Sequence, residues 1–157
     1  MNFFLLNILL AIVWAALSGQ VAPQNLIGGF VLGYFLLWVV RGALGCNNYV
    51  TKVSQVIRFA FFFASELVQA NVRVAWEVLT PGHGMRPAIV AVPLDLDRDI
   101  EILLLANMIT LTPGTLSLDV STDKRVLYIH AMYVDNVDDF RREIKQGYEK
   151  RVEELFA

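Results

Sequence analysis

Charged residues are missing from the first quarter of this chain. Residues 1–40 of the 157 contain no Asp, Glu, Lys or Arg, so all 13 basic and 15 acidic residues follow them. The hydrophobic fraction is 56%, whereas soluble domains have roughly 45–50%. An uncharged apolar segment therefore precedes one of ordinary soluble composition, which predicts a membrane-embedded part followed by a soluble part.

Residue types that bind metals or nucleic acids are also scarce. The single cysteine, Cys46, excludes an internal disulfide framework and a cysteine-based zinc site. The acidic pI and the lack of a basic cluster argue against nucleic-acid binding. His83 and His130 have no second His or Cys at ligand spacing, so no metal site is predicted. Phosphate-binding and nucleophile motifs are absent as well, so we expect no catalytic residue, no cofactor and no enzyme activity.

Residues 1–45 predict two transmembrane helices, near 3–19 and 23–41. A spanning helix needs about 17–25 apolar residues, which each segment barely supplies. The turn at 20–24 contains Pro23, which is typical of a helical hairpin. A cleaved signal peptide is the alternative for the first helix, but it requires a positively charged start that this sequence lacks.

The positions of the first basic residues predict the orientation. The turn has none, whereas Arg41, Lys52 and Arg58 follow the second helix. Because basic residues remain on the cytoplasmic side of a membrane, the turn is expected outside. Both termini and the C-terminal part are then expected in the cytoplasm.

Small residues recur at four-residue spacing in both apolar helices. Gly29 and Gly33 form a GxxxG pattern in the second helix, and Ala11, Ala15 and Gly19 share that spacing in the first. Helices in lipid pack closely through such residues. The pattern predicts either packing within the hairpin or a contact face for other membrane subunits.

Residues 46–85 predict an amphipathic helix and a linker. The helix is expected over Thr51–Leu79 and to end at Pro81-Gly82. Its polar stripe includes Glu66, which we expect to face solvent, and its opposite face is apolar. This pattern favours a helix lying at the cytoplasmic interface of the membrane. A third span is the alternative, but it would bury Glu66 near its centre at a cost of about 2.5–3.5 kcal/mol.

Residues 86–157 predict a small α+β domain of the order β-α-β-β-α, which is most of a ferredoxin-like sandwich. Asp97 or Asp99 is expected to cap the first helix, and Asp135 or Asn136 the last. We predict no metal site in the Asp135, Asp138 and Asp139 cluster, because a helix N-terminus already favours acids. The elements are expected at Pro87–Leu94, Ile100–Leu111, Thr115–Ser121, Arg125–Tyr133, and a final helix with an apolar stripe of Phe140, Ile144, Tyr148, Val152 and Leu155.

Thr112-Pro113-Gly114-Thr115 is the sharpest local signal in this domain. Proline suits the second position of a type II turn, and glycine suits the third, where φ is positive. The turn is expected to join the first domain helix to a hairpin and to have a structural role in assembly.

One long segment resembles a known family. The run from Leu105 to Val120, LANMITLTPGTLSLDV, is followed by LYIHA at 127–131. Together they resemble the E-type subunits of the Mrp-type multisubunit Na⁺(K⁺)/H⁺ antiporters, and the order of the remaining segments is similar to that family over nearly the whole chain. The element of the family that transfers to this chain is the LTPGT turn, Leu111–Thr115, and no catalytic residue transfers.

The resemblance implies an accessory subunit, needed for assembly or full activity, in a bacterial plasma membrane. Its partners would be the other subunits of a Na⁺/H⁺ antiporter complex, together with membrane lipid. The same type of subunit also occurs in membrane-bound hydrogenase complexes, which is a second hypothesis. A free-standing, membrane-anchored regulator with a binding domain is a third.

Overall fold

The computed structural model describes residues 2–80 and 85–156. The chain divides into two compact units, of which the first ends at Val56 and the second begins at Ile57. The predicted helix end at Pro81-Gly82 and the loop residue His83 lie outside the described residues.

The first unit is built on two antiparallel helices, α1 (Phe3–Leu17) and α2 (Pro23–Val39). Gly19, with φ +71°, follows α1 in the left-handed conformation that glycine adopts without strain. Pro23 opens α2, where its fixed φ suits the first helical position and its missing N–H has no helical partner to lose. A short helix, α3 (Arg41–Leu44), follows.

The two hairpin helices are shorter than the sequence predicts. Helix α1 has 15 residues and α2 has 17, and each ends two residues before the predicted boundary. Among residues 2–80 and 85–156, no helix combines the length and the hydrophobicity that crossing a membrane requires.

The longest element is α4 (Asn47–Leu79), a helix of 33 residues. It begins four residues before the predicted start at Thr51. Its C-terminal part, from Ile57 onward, belongs to the second unit. There Phe59, Phe62 and Phe63 pack against the core of the C-terminal domain.

The C-terminal domain has the predicted order of elements. Strand β1 (Ala88–Pro93) is followed by α5 (Asp99–Leu111), β2 (Thr115–Val120) and β3 (Val126–Ala131). Strand β3 lies between β1 and β2 and is antiparallel to both, with Ile129 opposite Val90 on one side and Ser117 on the other. Because β1 and β2 are therefore parallel and separated by β3, the sheet is a split βαβ unit of three strands.

The final helical segment contains a turn of π-helix. It consists of α6 (Val137–Glu143), the π segment Ile144–Glu149 and α7 (Lys150–Phe156). Its apolar residues recur every four positions, and on an α-helix four such steps would rotate the stripe by roughly 160°. The wider π turn keeps the stripe facing the domain core, so Phe140, Ile144, Tyr148 and Val152 are all buried. Phe156, rather than the predicted Leu155, continues the contact with the core.

The cap of α5 differs from the prediction. Neither Asp97 nor Asp99 caps the helix; Arg98 occupies the N-cap position, and its N–H donates to the Glu101 carboxylate at 3.4 Å. Asp99 instead forms a 2.6 Å ion pair with Lys124. The buried carboxylate three residues into the helix reaches back to the cap, as in a capping box.

Two apolar surfaces of the domain are exposed rather than buried. Leu116 and Leu118 of β2 are exposed, as is Ile89 of β1. Leu103 and Leu111 of α5 are also exposed, although this helix is apolar nearly all round. Only the face of α5 turned to the sheet is buried within the chain.

Candidate functional site

The TPGT segment forms the turn that the sequence predicts. Gly114 has φ +93°, and the N–H of Thr115 donates to the Thr112 carbonyl at 3.2 Å. The Thr115 hydroxyl donates to the Ile109 carbonyl at 2.6 Å, so it satisfies one of the carbonyls left open where α5 ends. The Gly114 carbonyl accepts from the N–H of Met132 at 2.8 Å, which joins the turn to the end of β3. The turn thus fixes the end of α5 to the sheet.

A second reason for glycine at position 114 is the ring of Tyr133. A Cβ atom placed on Gly114 would lie 3.0 Å from the Tyr133 Cε2 atom, closer than side chains normally approach. Tyr133 in turn donates a short hydrogen bond from its hydroxyl to the carboxylate of Glu77 on α4. This bond raises the pKa of Tyr133, because an ionised tyrosine could not donate it. Gly114, Tyr133 and Glu77 therefore connect the turn to the long helix.

Tyr148 makes a second connection to α4. Its hydroxyl donates to the Glu66 carboxylate at 2.9 Å, and its ring meets the Phe62 ring edge-on at a centroid distance of 5.8 Å. Burial, followed by the hydrogen bond to Glu66, raises the pKa of Tyr148. The expectation that Glu66 faces solvent is therefore wrong: Glu66 is half-buried against the domain.

A small polar cavity of about 170 Å³ lies between α4 and the TPGT turn. Side chains from α4, from the turn and from the π segment line it. The polar members are Glu66, Gln69, Arg73, Thr112, Thr115, Tyr133, Glu143 and Tyr148. Both tyrosine–glutamate hydrogen bonds involve residues on this lining. The cavity therefore lies at the hydrogen-bonded joint between α4 and the small domain.

Gly29 and Gly33 lie where α2 meets α1. A Cβ on Gly29 would lie 2.8 Å from the Trp14 Cβ and 2.9 Å from the Ala11 carbonyl oxygen, and one on Gly33 would collide with the Oδ1 atom of Asn7. By contrast, a Cβ on the adjacent Gly28 would meet nothing within 4 Å.

Asn7 is the polar centre of the first unit. It is fully buried, and its Nδ2 atom donates to the Tyr49 hydroxyl at 2.9 Å. The Tyr49 ring also meets the Tyr34 ring edge-on, at a centroid distance of 6.1 Å. Asn7 therefore ties α1 to the beginning of α4 and fills the space that Gly33 leaves open.

The remaining candidate residues are His130 and the acidic cluster at the start of α6. His130 is half-buried on β3, opposite Ile89 and Leu116. The acidic residues at the start of α6 form ion pairs with arginines, and Asn136 caps the helix by accepting from the N–H groups of Asp138 and Asp139. Within the described ranges, no three His, Cys, Asp or Glu side chains are grouped so that they could hold a metal ion.

Sequence reasoning does not find the two tyrosine–glutamate pairs. The sequence pattern places Tyr148 only in the apolar stripe of the last helix, and Tyr133 only in a strand. A signal is present, since Glu66 and Glu77 share one face of α4 at a spacing of eleven residues, or about three helical turns. Nothing in that spacing specifies which hydroxyl groups they meet.

Comparison with solved structures gives the class of protein. A chain in the structure of the membrane-bound sulfane sulfur reductase, an archaeal respiratory membrane complex, is similar over 99% of this chain and 100% of that chain. The TM-score is 0.58 and the identity 26%. The fold is therefore one found in subunits of membrane complexes.

Comparison with curated sequences gives the family. The family model for the Na⁺/H⁺ ion antiporter subunit MnhE matches residues 7–155. The E-type Na⁺/H⁺ antiporter subunit of Alkalihalophilus pseudofirmus is 38% identical over 96% of this chain and 96% of its own length, and the one of Bacillus subtilis gives the same values. This chain belongs to the MnhE family of antiporter subunits.

Proposed function

We propose that this chain is an accessory and assembly subunit of a multisubunit Na⁺/H⁺ antiporter. Its partners are the other antiporter subunits and membrane lipid. The family match over residues 7–155 supports this role. The observation that carries the structural side of the proposal is the joint in which Tyr133 and Tyr148 hydrogen-bond to Glu77 and Glu66 of α4.

The N-terminal hairpin, residues 1–45, serves as the membrane anchor in the bacterial plasma membrane. Helices α1 and α2 carry no charged residue. Large apolar side chains such as Leu17, Ile27 and Phe35 are exposed on this hairpin. Gly29 and Gly33 provide the close approach of the two helices. Basic residues follow the hairpin and favour a cytoplasmic location for residues 86–157.

The turn at Thr112–Thr115 acts structurally rather than chemically. It holds Tyr133 against Gly114, and Tyr133 reaches Glu77 on α4. The turn therefore sets how the small domain is held on the long helix, and its integrity decides whether the chain presents a correct surface to its partners.

Replacing Tyr133 and Tyr148 together with Phe removes both hydrogen bonds while keeping both rings. Each bond is worth about 0.5–1.5 kcal/mol, so we expect less assembled complex on blue-native gels and a proportional fall of antiport in vesicles. Tyr128→Phe is the matched control, because that side chain on β3 is exposed. Full assembly of the double variant would contradict the proposal.

A second candidate is the equivalent subunit of a redox-driven respiratory complex. The similarity to the sulfane sulfur reductase chain over nearly the whole length favours it. Purification of the native complex separates the two: redox-active proteins co-purify with a respiratory subunit, whereas an antiporter subunit co-purifies with ion-translocating membrane subunits alone.

A further inference from the structure

The part of α4 that belongs to the second unit has two faces with opposite surroundings. One face carries Phe62, Glu66 and Glu77, which meet the small domain. The opposite face is exposed and mostly apolar, with Ser65 and Arg58 at its edge, and its large apolar residues recur at steps of three, four or seven. They are Ile57, Phe61, Val68, Val72, Trp76 and Leu79, with exposed fractions between 48% and 80%. These six residues form the outer stripe of α4.

The small domain cannot cover the outer stripe, because it already occupies the other side of the helix. The stripe runs over 23 residues, or about 34 Å of helix, and none of its six side chains is charged. Exposed apolar surfaces of this extent mark a protein or membrane contact. Within the second unit, one face of α4 is thus bonded to the small domain, and the outer stripe is left uncovered by it.

We infer that the outer stripe lies in the plane of the membrane, with its side chains in the boundary between headgroups and acyl chains. The inference rests on the proposed anchoring of this chain in a membrane, and it assigns lipid rather than a protein helix to the stripe. The residues along the middle of the outer stripe are branched or aromatic: Phe61, Val68, Val72 and Leu79. Close helix pairing in lipid uses small residues instead, as at Gly29 and Gly33.

The residues beside the outer stripe are also of the types found at a membrane–water interface. Trp76 lies at its edge, and tryptophan rings are enriched at the level of the headgroups. Gln69 and Arg73 lie between the stripe and the small domain, where polar groups of an interfacial helix remain in water. A spanning orientation would instead place the charged groups of Glu66 and Arg73, and the domain bound to them, at the depth of the acyl chains.

Nitroxide labels in the assembled complex test this inference. Single cysteines replace Phe61, Val68, Val72 or Leu79 in a Cys46→Ser background, and Gln69→Cys is the matched control one residue from the stripe. The complex is reconstituted in vesicles of phosphatidylethanolamine and phosphatidylglycerol. Accessibility to dissolved oxygen and to a water-soluble nickel chelate then gives the depth of each label. Because four positions are read independently, one variant that fails to assemble does not remove the test.

We expect all four stripe labels to be accessible to oxygen and to share one shallow depth, about 5–10 Å below the headgroups, while the Gln69 label is accessible to the nickel chelate. A spanning helix would give depths that differ by up to about 27 Å between positions 61 and 79. Low accessibility to both reagents would indicate a protein partner. Either result would overturn the inference and leave the proposed assembly role intact, since that role is read from complex amount and antiport.

Discussion

At the scale of single residues, the structure explains why two of the three glycines in α2 have no room for a side chain. Gly33 faces the amide of Asn7, which is fully buried and bonded to Tyr49. A buried amide is costly unless it is hydrogen-bonded; the Nδ2 atom of Asn7 is bonded to Tyr49 of α4, whereas the Oδ1 atom that faces Gly33 has no partner among the described residues. The sequence shows the GxxxG spacing, but only the folded structure pairs each glycine with the side chain that occupies the space beside it.

Gly33→Ala is expected to destabilise the hairpin by about 1–3 kcal/mol, because the added methyl group collides with the Asn7 amide. The amount of the chain incorporated into the complex should fall in the same variant. Gly28→Ala is the control on the same helix, since its new methyl group meets nothing within 4 Å. Asn7→Ala combined with Gly33→Ala should recover part of the loss. Equal incorporation of the Gly28 and Gly33 variants would count against this packing.

At the scale of elements, the joint between α4 and the small domain depends on two protonated tyrosines. The pKa of Tyr148 is raised in the folded protein, by burial and by its bond to Glu66, and the pKa of Tyr133 is raised by Glu77. A group whose pKa is raised on folding contributes stability in full below its unfolded pKa, near 10 here. That contribution is lost as the pH rises above about 10, because unfolded tyrosine ionises first.

For the purified chain in detergent, the ionisation of Tyr133 and Tyr148 should therefore leave the melting temperature unchanged between about pH 7 and about pH 9. Above about pH 10 the melting temperature should fall. In the variant with Tyr133→Phe and Tyr148→Phe the fall should be smaller, while the starting stability is lower. A fall of the same size in wild type and double variant would show that the two hydroxyls do not stabilise the joint.

The contact between α4 and the small domain also shows which features the sequence alone does not predict. The periodicity of α4 reveals a polar and an apolar face, and the order of strands and helices in residues 86–157 follows from turns, caps and alternation. Which partner each face meets is a tertiary question, and for that reason the pattern alone places Glu66 in water. The sequence does not predict the π segment either. The extra residue in its turn shows in the sequence only as apolar residues spaced by four.

At the scale of the whole molecule, the anchoring proposal makes a prediction about sidedness. Ala22→Cys in a Cys46→Ser background should react with a membrane-impermeant maleimide added to intact cells, because the turn after α1 is expected outside. Ala157→Cys should react only after the membrane is opened, because the basic residues that follow the hairpin favour a cytoplasmic location for the C-terminal part. The reverse pattern of labelling would exclude this topology.

The central claim is that the chain supports assembly and takes no direct part in ion movement, and the TPGT turn tests it most directly. Gly114→Val places a β-branched residue at φ +93° and against Tyr133, at a cost of about 1–3 kcal/mol. Gly147→Val is the control, since a Cβ at Gly147 meets nothing within 4 Å.

The decisive measurement is antiport in vesicles divided by the amount of assembled complex in the same preparation. Gly114→Val is expected to lower the amount of complex several-fold and to leave antiport per complex unchanged. Normal assembly with normal antiport would remove the structural role of the turn. Normal assembly with lost antiport would contradict a purely structural role, because it would place the turn in the coupling of ion movement itself.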